Sequence, residues 1–338
     1  MPASAMKRLS FTLGALALMA MGAEAQTPSD WKAPRNSFGQ PDLQGTWNSG
    51  SLTNLERTAQ YKDLIVPDAQ AEQAARQRYA ANQRAQARTD QSAGAPTDRN
   101  SNAGYNAFWL DRGSTLGKVK GTYRSSWIVD PPDGRIPFSA EGRKLAAAAE
   151  ARLGYSDPES RPLPDRCIAS VGRNGPPMMN GLYNNHFQIA QSPTHVVIHA
   201  EMMSNARIVA LTDRRQPSAI APFFGDSIGR WEGDTLVVET TSFNPYHSWQ
   251  DHPAFLSDKA KVTERFTRTA ADELLYEFTI DDPTFYSQPW KGEMTWVRDG
   301  EISYEFACHE GNYAMPGILA GARVFEAQGR PLEQGAGE

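Results

Sequence analysis

Apolar and polar residues alternate in short runs over the second half of the chain. From Glu264 to Tyr313 the runs are Glu-Arg-Phe-Thr-Arg, Leu-Leu-Tyr-Glu-Phe-Thr-Ile, Gln-Pro-Trp-Lys-Gly-Glu-Met-Thr-Trp and Tyr-Glu-Phe-Ala-Cys-His-Glu. Each is strand-length and ends in turn chemistry: Ala271-Asp272, Asp281-Asp282-Pro283 and Asp299-Gly300. The pattern predicts an antiparallel meander whose last strand carries His309 and Glu310. Upstream, Tyr183 to Ile189 and His195 to Glu201 predict a hairpin around Ser192-Pro193, followed by a strand over Ala206 to Leu211. Arg230 to Thr241 predicts a hairpin turning at Gly233-Asp234.

The first half is patterned differently. Gln26 to Asn54 is rich in Pro and Gly and reads as loop, with Trp47 inserting into the body of the protein. Helices are predicted from Pro67 to Arg88, with Asp68 near the start, and from Ser139 to about Leu153. Thr89 to Asn102 reads as loop, and Tyr123 to Val129 as a strand. Eight to ten hairpin-connected strands after Cys167 predict a mainly β fold: an antiparallel, lipocalin-like barrel or strongly curved sheet, which leaves no exposed edges if it closes. Residues 26–165 would pack on a barrel over 166–321, and 322–338 would form a flexible tail.

Composition narrows the class. The chain of 338 residues carries a formal charge of −5 and no Lys/Arg-rich block, which argues against nucleic acid. Lys7-Arg8, an apolar run from Phe11 to Met21 and Ala23-Glu24-Ala25 read as a cleaved export signal over 1–25. That run is too short to span a bilayer, and nothing else is apolar enough. The expected location is periplasmic or secreted. Cys167 and Cys308 are the only cysteines. In an oxidising compartment the favoured reading is a disulfide, with two buried thiols as the alternative.

Ordered motifs from Pro41 to Gly321 resemble a large family of exported bacterial proteins with no settled activity. They include Gly39 to Trp47, Tyr105 to Gly113, Ile128-Val-Asp-Pro-Pro-Asp-Gly-Arg-Ile-Pro137, Tyr183-Asn-Asn185, Gly225 to Val238 and Ala307-Cys-His-Glu-Gly-Asn-Tyr313. The resemblance implies export. This chain departs from the pattern in two places. Met202-Met203-Ser204-Asn205 stands where relatives often carry a histidine, and Lys261 where they tend to carry another. Both departures favour binding over chemistry or a diverged substrate.

Candidate chemistry centres on His309 and Glu310, a potential acid–base pair if their strand ends at Gly311. His199 and Glu201 would share one strand face, and with Arg207 would supply base, acid and cation; the plainer reading is a solvent face. Tyr183, Asn184, Asn185 and His186, with Tyr105, Trp109, Asn312 and Tyr313, would position a ligand. His195-x-x-x-His199 has chelating spacing on a helix, but on a strand its ends lie about 13 Å apart; His186, His199, Glu201 and His309 are therefore not assigned a metal. Gly225-x-Ser227-x-Gly229 lacks the strand-to-helix setting of a nucleophile elbow. Glu239 and Glu264 are considered as a glycosidase pair. The leading expectation is a cofactor-free lyase, isomerase or hydrolase with a barrel cavity for an apolar or aromatic small molecule. The alternatives are a ligand carrier without catalysis and a carbohydrate-active enzyme; no resident cofactor is expected.

Overall fold

Alternation of side chains organises the main sheet, and the sheet closes on itself. The computed structural model describes residues 31–91, 113–169, 174–181, 185–217, 219–244 and 254–330. The strands are β1 (Gly45–Asn48), β2 (Ile65–Val66), β3 (Lys118–Val119), β4 (Thr122–Arg124), β5 (Ile128–Asp130), β6 (His186–Gln191), β7 (His195–Ala200), β8 (Asn205–Ala210), β9 (Asp226–Glu232), β10 (Thr235–Thr241), β11 (Lys261–Arg268), β12 (Glu273–Asp281) and β13 (Trp290–Asp299). The α-helices are α1 (Asp68–Gln91), α2 (Ala140–Glu150), α3 (Cys308–Gly311) and α4 (Ala314–Ala327).

Strands β6 to β13 pair in sequence order, and β1 pairs with both β6 and β13. The result is a closed nine-strand barrel, the mainly β fold expected. Directions cannot alternate throughout a ring of nine, so one neighbouring pair must be parallel. That pair is β8 with β9, joined at the single register position Ala210↔Ile228. β5 branches off β13 where the register shifts between Lys291 and Gly292. β2, β4 and β3 form a separate small sheet.

Parity decides what lies inside. Phe187, Ile189, Val196, Ile198, Val209, Leu236, Val238, Val262, Phe266, Leu274, Tyr276, Phe278, Trp290, Met294 and Trp296 occupy alternate positions on their strands and are buried. Trp296 stacks on Phe187 at 4.5 Å and on Tyr276 at 4.9 Å, with Phe266 edge-on at 5.8 Å. Gly292 is required by this packing: a Cβ there would lie 2.3 Å from the Phe278 ring. The small sheet is held to the outer wall by Arg124 and Lys120, whose nitrogens lie 2.8 and 2.9 Å from the carboxylate of Glu293 on β13.

Several expectations are corrected. Residues 41–48 were expected as loop, yet β1 is a barrel strand: Trp47 faces inward, fully buried, and its indole N–H donates to the Leu43 carbonyl at 2.8 Å. The strand expected over Tyr123 to Val129 is split between two sheets as β4 and β5. The last barrel strand ends at Asp299, short of Cys308, and His309 and Glu310 lie on the single turn of α3. The tail expected from 322 is helical in part, since α4 runs to Ala327. The two long helices fall where expected, with the Ser139 hydroxyl accepting from the Gly142 N–H at 2.8 Å as the N-cap of α2. Among the described residues no helix is long and apolar enough to cross a membrane. The export signal lies outside the described residues.

Candidate functional site

The Ala307 to Tyr313 motif does not end a strand; it builds one wall of a pocket. Cys308 on α3 is bridged to Cys167, with a Cα–Cα distance of 5.6 Å. Beside the bridge lies an open pocket of about 470 Å³. One wall is Pro164 and Asp165; the other runs from Glu305 through α3 to Ile318 on α4. Phe306, Met315 and Ile318 give it apolar surface. Asn312 ties the walls together, donating from Nδ2 to the Asp165 carbonyl at 2.7 Å and accepting at Oδ1 from the Met315 N–H at 3.2 Å. The side chains of His309 and Glu310 are exposed and do not line the pocket, and Tyr313 is 84% exposed. On the single turn of α3 the lining positions are Cys308 and Gly311, and His309 and Glu310 between them face solvent.

Arg207 belongs to a different place. It faces the barrel interior from β8, with Nη2 2.8 Å from Oε2 of Glu264 on β11. Tyr276 on β12 donates to the other Glu264 oxygen at 2.7 Å and accepts from the Met178 N–H at 2.9 Å. Burial first, and the Glu264 charge second, push the Tyr276 phenol well above its ordinary range, so it remains a donor. The Arg207–Glu264 contact is close but poorly aligned for a hydrogen bond, and among the described residues the Arg207 Nε and Nη1 meet no hydrogen-bond acceptor. The expected grouping of Arg207 with His199 is corrected. His199 sits opposite Ala206, while Arg207 sits opposite inward-facing Ile198, so the two side chains point to opposite sides of the wall. Glu239 also faces outward and pairs with Arg230 at 2.8 Å, whereas Glu264 faces inward. They cannot form a glycosidase pair.

His186 and Glu201 do meet, on the outer wall rather than in a lumen. His186 Nδ1 lies 3.0 Å from Glu201 Oε2, and Nε2 lies 2.9 Å from Asp299 Oδ2. Asn48 Nδ2 approaches both the ring, at 3.1 Å, and Asp299, at 3.3 Å. The cluster crosses the seam where β1 closes the barrel between β6 and β13. Glu201 enters the β7–β8 turn, in which Met203 and Ser204 have φ of 61° and 49°, a backbone that side-chain-bearing residues rarely adopt. Asp299 is held below the usual carboxylate range. Burial opposes its charge most strongly, but hydrogen bonds from the Glu301 N–H, Asn48 and His186 outweigh that. With both ring nitrogens engaged, this cluster reads as a clasp on the barrel seam.

Asn185 is buried and closes a local turn: its Oδ1 accepts from the Gly181 N–H at 2.7 Å and its Nδ2 donates to the Gly181 carbonyl at 3.3 Å. Tyr105, Trp109, Tyr183 and Asn184 lie outside the described residues. Ser227 sits on β9 with its hydroxyl 2.8 Å from that of Thr240, as expected of a strand rather than an elbow. Trp290 and Trp296 are core residues. Sequence reasoning missed Glu305, Phe306, Met315 and Ile318 as pocket walls, and Asp299, read only as a turn residue. It also missed the buried trio, for which a signal existed: Glu264 stands at the same parity as Val262 and Phe266, a carboxylate where the pattern demands an apolar side chain.

No family model and no curated protein matches the chain. Among solved structures, a crystal structure of a mutant of the fluorescent protein UnaG is similar over 34% of this chain and 72% of that one, at 12% identity and a TM-score of 0.22.

Proposed function

We propose that this is an exported small-molecule-binding protein of the motif family described above, and that its ligand occupies the pocket beside the Cys167–Cys308 bridge. The pocket itself carries the reading. Its volume of about 470 Å³ lies in the range of ligand sites. It combines Phe306, Met315 and Ile318 with the polar groups of Asp165, Asn312 and Glu305, the mixture that binds and orients a small amphiphile. The disulfide fits an oxidising compartment, in keeping with the export signal in the sequence. By contrast, the barrel interior around Trp296 is filled by stacked rings, which leaves the expected central cavity without support there.

Acid–base turnover is the second reading. His309 and Glu310 sit on the turn between the lining residues Cys308 and Gly311, so a bound molecule could reach them at the rim. Binding is the preferred conclusion because both side chains are exposed and neither lines the pocket.

Native mass spectrometry of the exported protein tests the proposal. A small molecule should co-purify with the wild type and be absent from Met315→Trp, whose larger side chain fills the pocket. Retention by a folded Met315→Trp protein would place the ligand elsewhere. Conversion of the bound molecule that ceases in His309→Ala would promote the enzyme reading.

A further inference from the structure

The charged residues that line the pocket are of one sign. Among the described residues its lining contains Asp165 and Glu305 but no Lys, Arg or His. Asp165 is already neutralised, with its Oδ2 2.5 Å from Nη2 of Arg161. Glu305 makes no ion pair among the described residues and is exposed at the rim. The adjoining surface is a phenyl ring, a thioether and a branched alkyl group, from Phe306, Met315 and Ile318. An aromatic face and a soft sulfur beside an uncompensated carboxylate favour a cation on an apolar body. An anion would meet Glu305 repulsion with no donor cation among the described residues of the wall.

The two walls are also far apart in sequence, separated by 141 residues at the bridge. What joins them at the pocket is the disulfide and the Asn312 hydrogen bond to the Asp165 carbonyl. A pocket assembled this way depends on the bridge for its shape.

Resting on the binding reading above, we infer that the pocket selects cationic amphiphiles, an ammonium group on an aromatic or alkyl body, and that the Cys167–Cys308 bridge must be intact for it to do so. Glu305 supplies the charge selectivity; the apolar wall supplies most of the affinity. Selectivity from one rim carboxylate is modest, about fivefold, because exposed ion pairs contribute at most about that factor.

Three probes of one shape test this by calorimetry: 4-phenylbutylammonium, 4-phenylbutanol and 4-phenylbutyrate. The ammonium should bind wild type about fivefold more tightly than the alcohol, with the carboxylate weakest. Glu305→Gln should bring the ammonium down to the level of the alcohol and leave the alcohol unchanged. Reduction of the disulfide should weaken all three while the near-ultraviolet spectrum of the barrel tryptophans persists. Equal binding of the three probes by wild type, all displaced in Met315→Trp, would overturn the charge inference and keep the pocket. Binding that survives both Met315→Trp and reduction would overturn the pocket as well, as would binding of none of the probes. Unchanged affinity in the reduced protein, with Met315→Trp still inactive, would overturn the redox dependence alone.

Discussion

Two regions of this molecule are apolar in sequence, and they are treated in opposite ways. In the barrel, inward-facing residues from nine strands pack into a closed core in which Trp296 and Trp290 are fully buried. In the segment from Gly300 to Arg330, Ile302, Tyr304, Tyr313 and Val324 are more than half exposed, and in α4 only Ala322 is buried. The barrel holds itself by burial. The C-terminal arm is held by a covalent bridge and a few hydrogen bonds, among them Phe306 N–H to the Ser204 hydroxyl at 3.2 Å and Arg323 to the Ser156 carbonyl. Apolar content therefore does not measure packing; what matters is whether the residues share a face that another face can cover. The looser region also presents a pocket.

The sharpest contrast is between single truncations in each region. Trp296→Ala removes a ring packed against Phe187, Tyr276 and Phe266 and is expected to cost about 3–5 kcal/mol of unfolding free energy. Ile318→Ala on the arm should cost under about 1 kcal/mol, because its side chain is only half-buried. Urea denaturation followed by tryptophan fluorescence measures both. Equal losses would mean that the arm belongs to the cooperative core and that the comparison is mistaken.

Next comes the ion pair inside the barrel. Arg207→Met leaves Glu264 buried without its cation and should cost about 3 kcal/mol or more, as removal of one partner of a buried pair does. Adding Glu264→Leu should recover most of that loss, since a buried pair contributes little beyond an apolar replacement of similar shape. A double variant as unstable as the single would show that the trio with Tyr276 fixes the barrel in a way that hydrophobic packing cannot replace.

The barrel was legible because a period of two is written directly into the chain. Turn dipeptides such as Gly233-Asp234 mark the hairpins, and the run Leu274, Tyr276, Phe278, Ile280 marks an inward face. The closing strand was not legible. β1 is four residues long, sits among Pro and Gly, and pairs with strands more than 130 positions away, so local pattern carries no trace of its partners. The fate of His309 and Glu310 was hidden for a related reason. Tyr304 to Phe306 has the alternation of a strand, but it pairs with no strand among the described residues, and the chain reaches α3 directly afterwards. The pocket was half legible: the motif and the two cysteines pointed to its neighbourhood. Two of the lining side chains, Met315 and Ile318, came from α4, a helix that the sequence pattern did not announce. Asp299 escaped notice because a residue beside Gly300 serves a turn and His186 at once.

The smallest expected effect separates the outer wall from the arm by acid. Glu293 is held below the usual carboxylate range: its burial opposes the charge most strongly, but hydrogen bonds from Lys120 and Arg124 outweigh it. Asp299 is depressed in the same direction. A carboxylate whose folded pKa lies below its unfolded value stabilises the fold above the unfolded value, and that stability is lost as pH falls through the folded one. With ordinary values of 4.5 for Glu and 3.8 for Asp, the loss begins near pH 4.5 and continues below it. Thermal melting between roughly pH 3 and pH 6 should therefore show a slope in wild type that Glu293→Gln reduces and Asp299→Asn reduces less. The difference follows from position: Glu293 faces two cations, one of them buried Arg124, whereas Asp299 meets His186 and neutral donors. Ile318→Ala should leave the slope as it is in wild type, because the residue it removes neither titrates nor packs against these carboxylates. A slope that survives both carboxylate substitutions would locate the acid sensitivity elsewhere and detach the outer-wall clasps from the stability of the barrel.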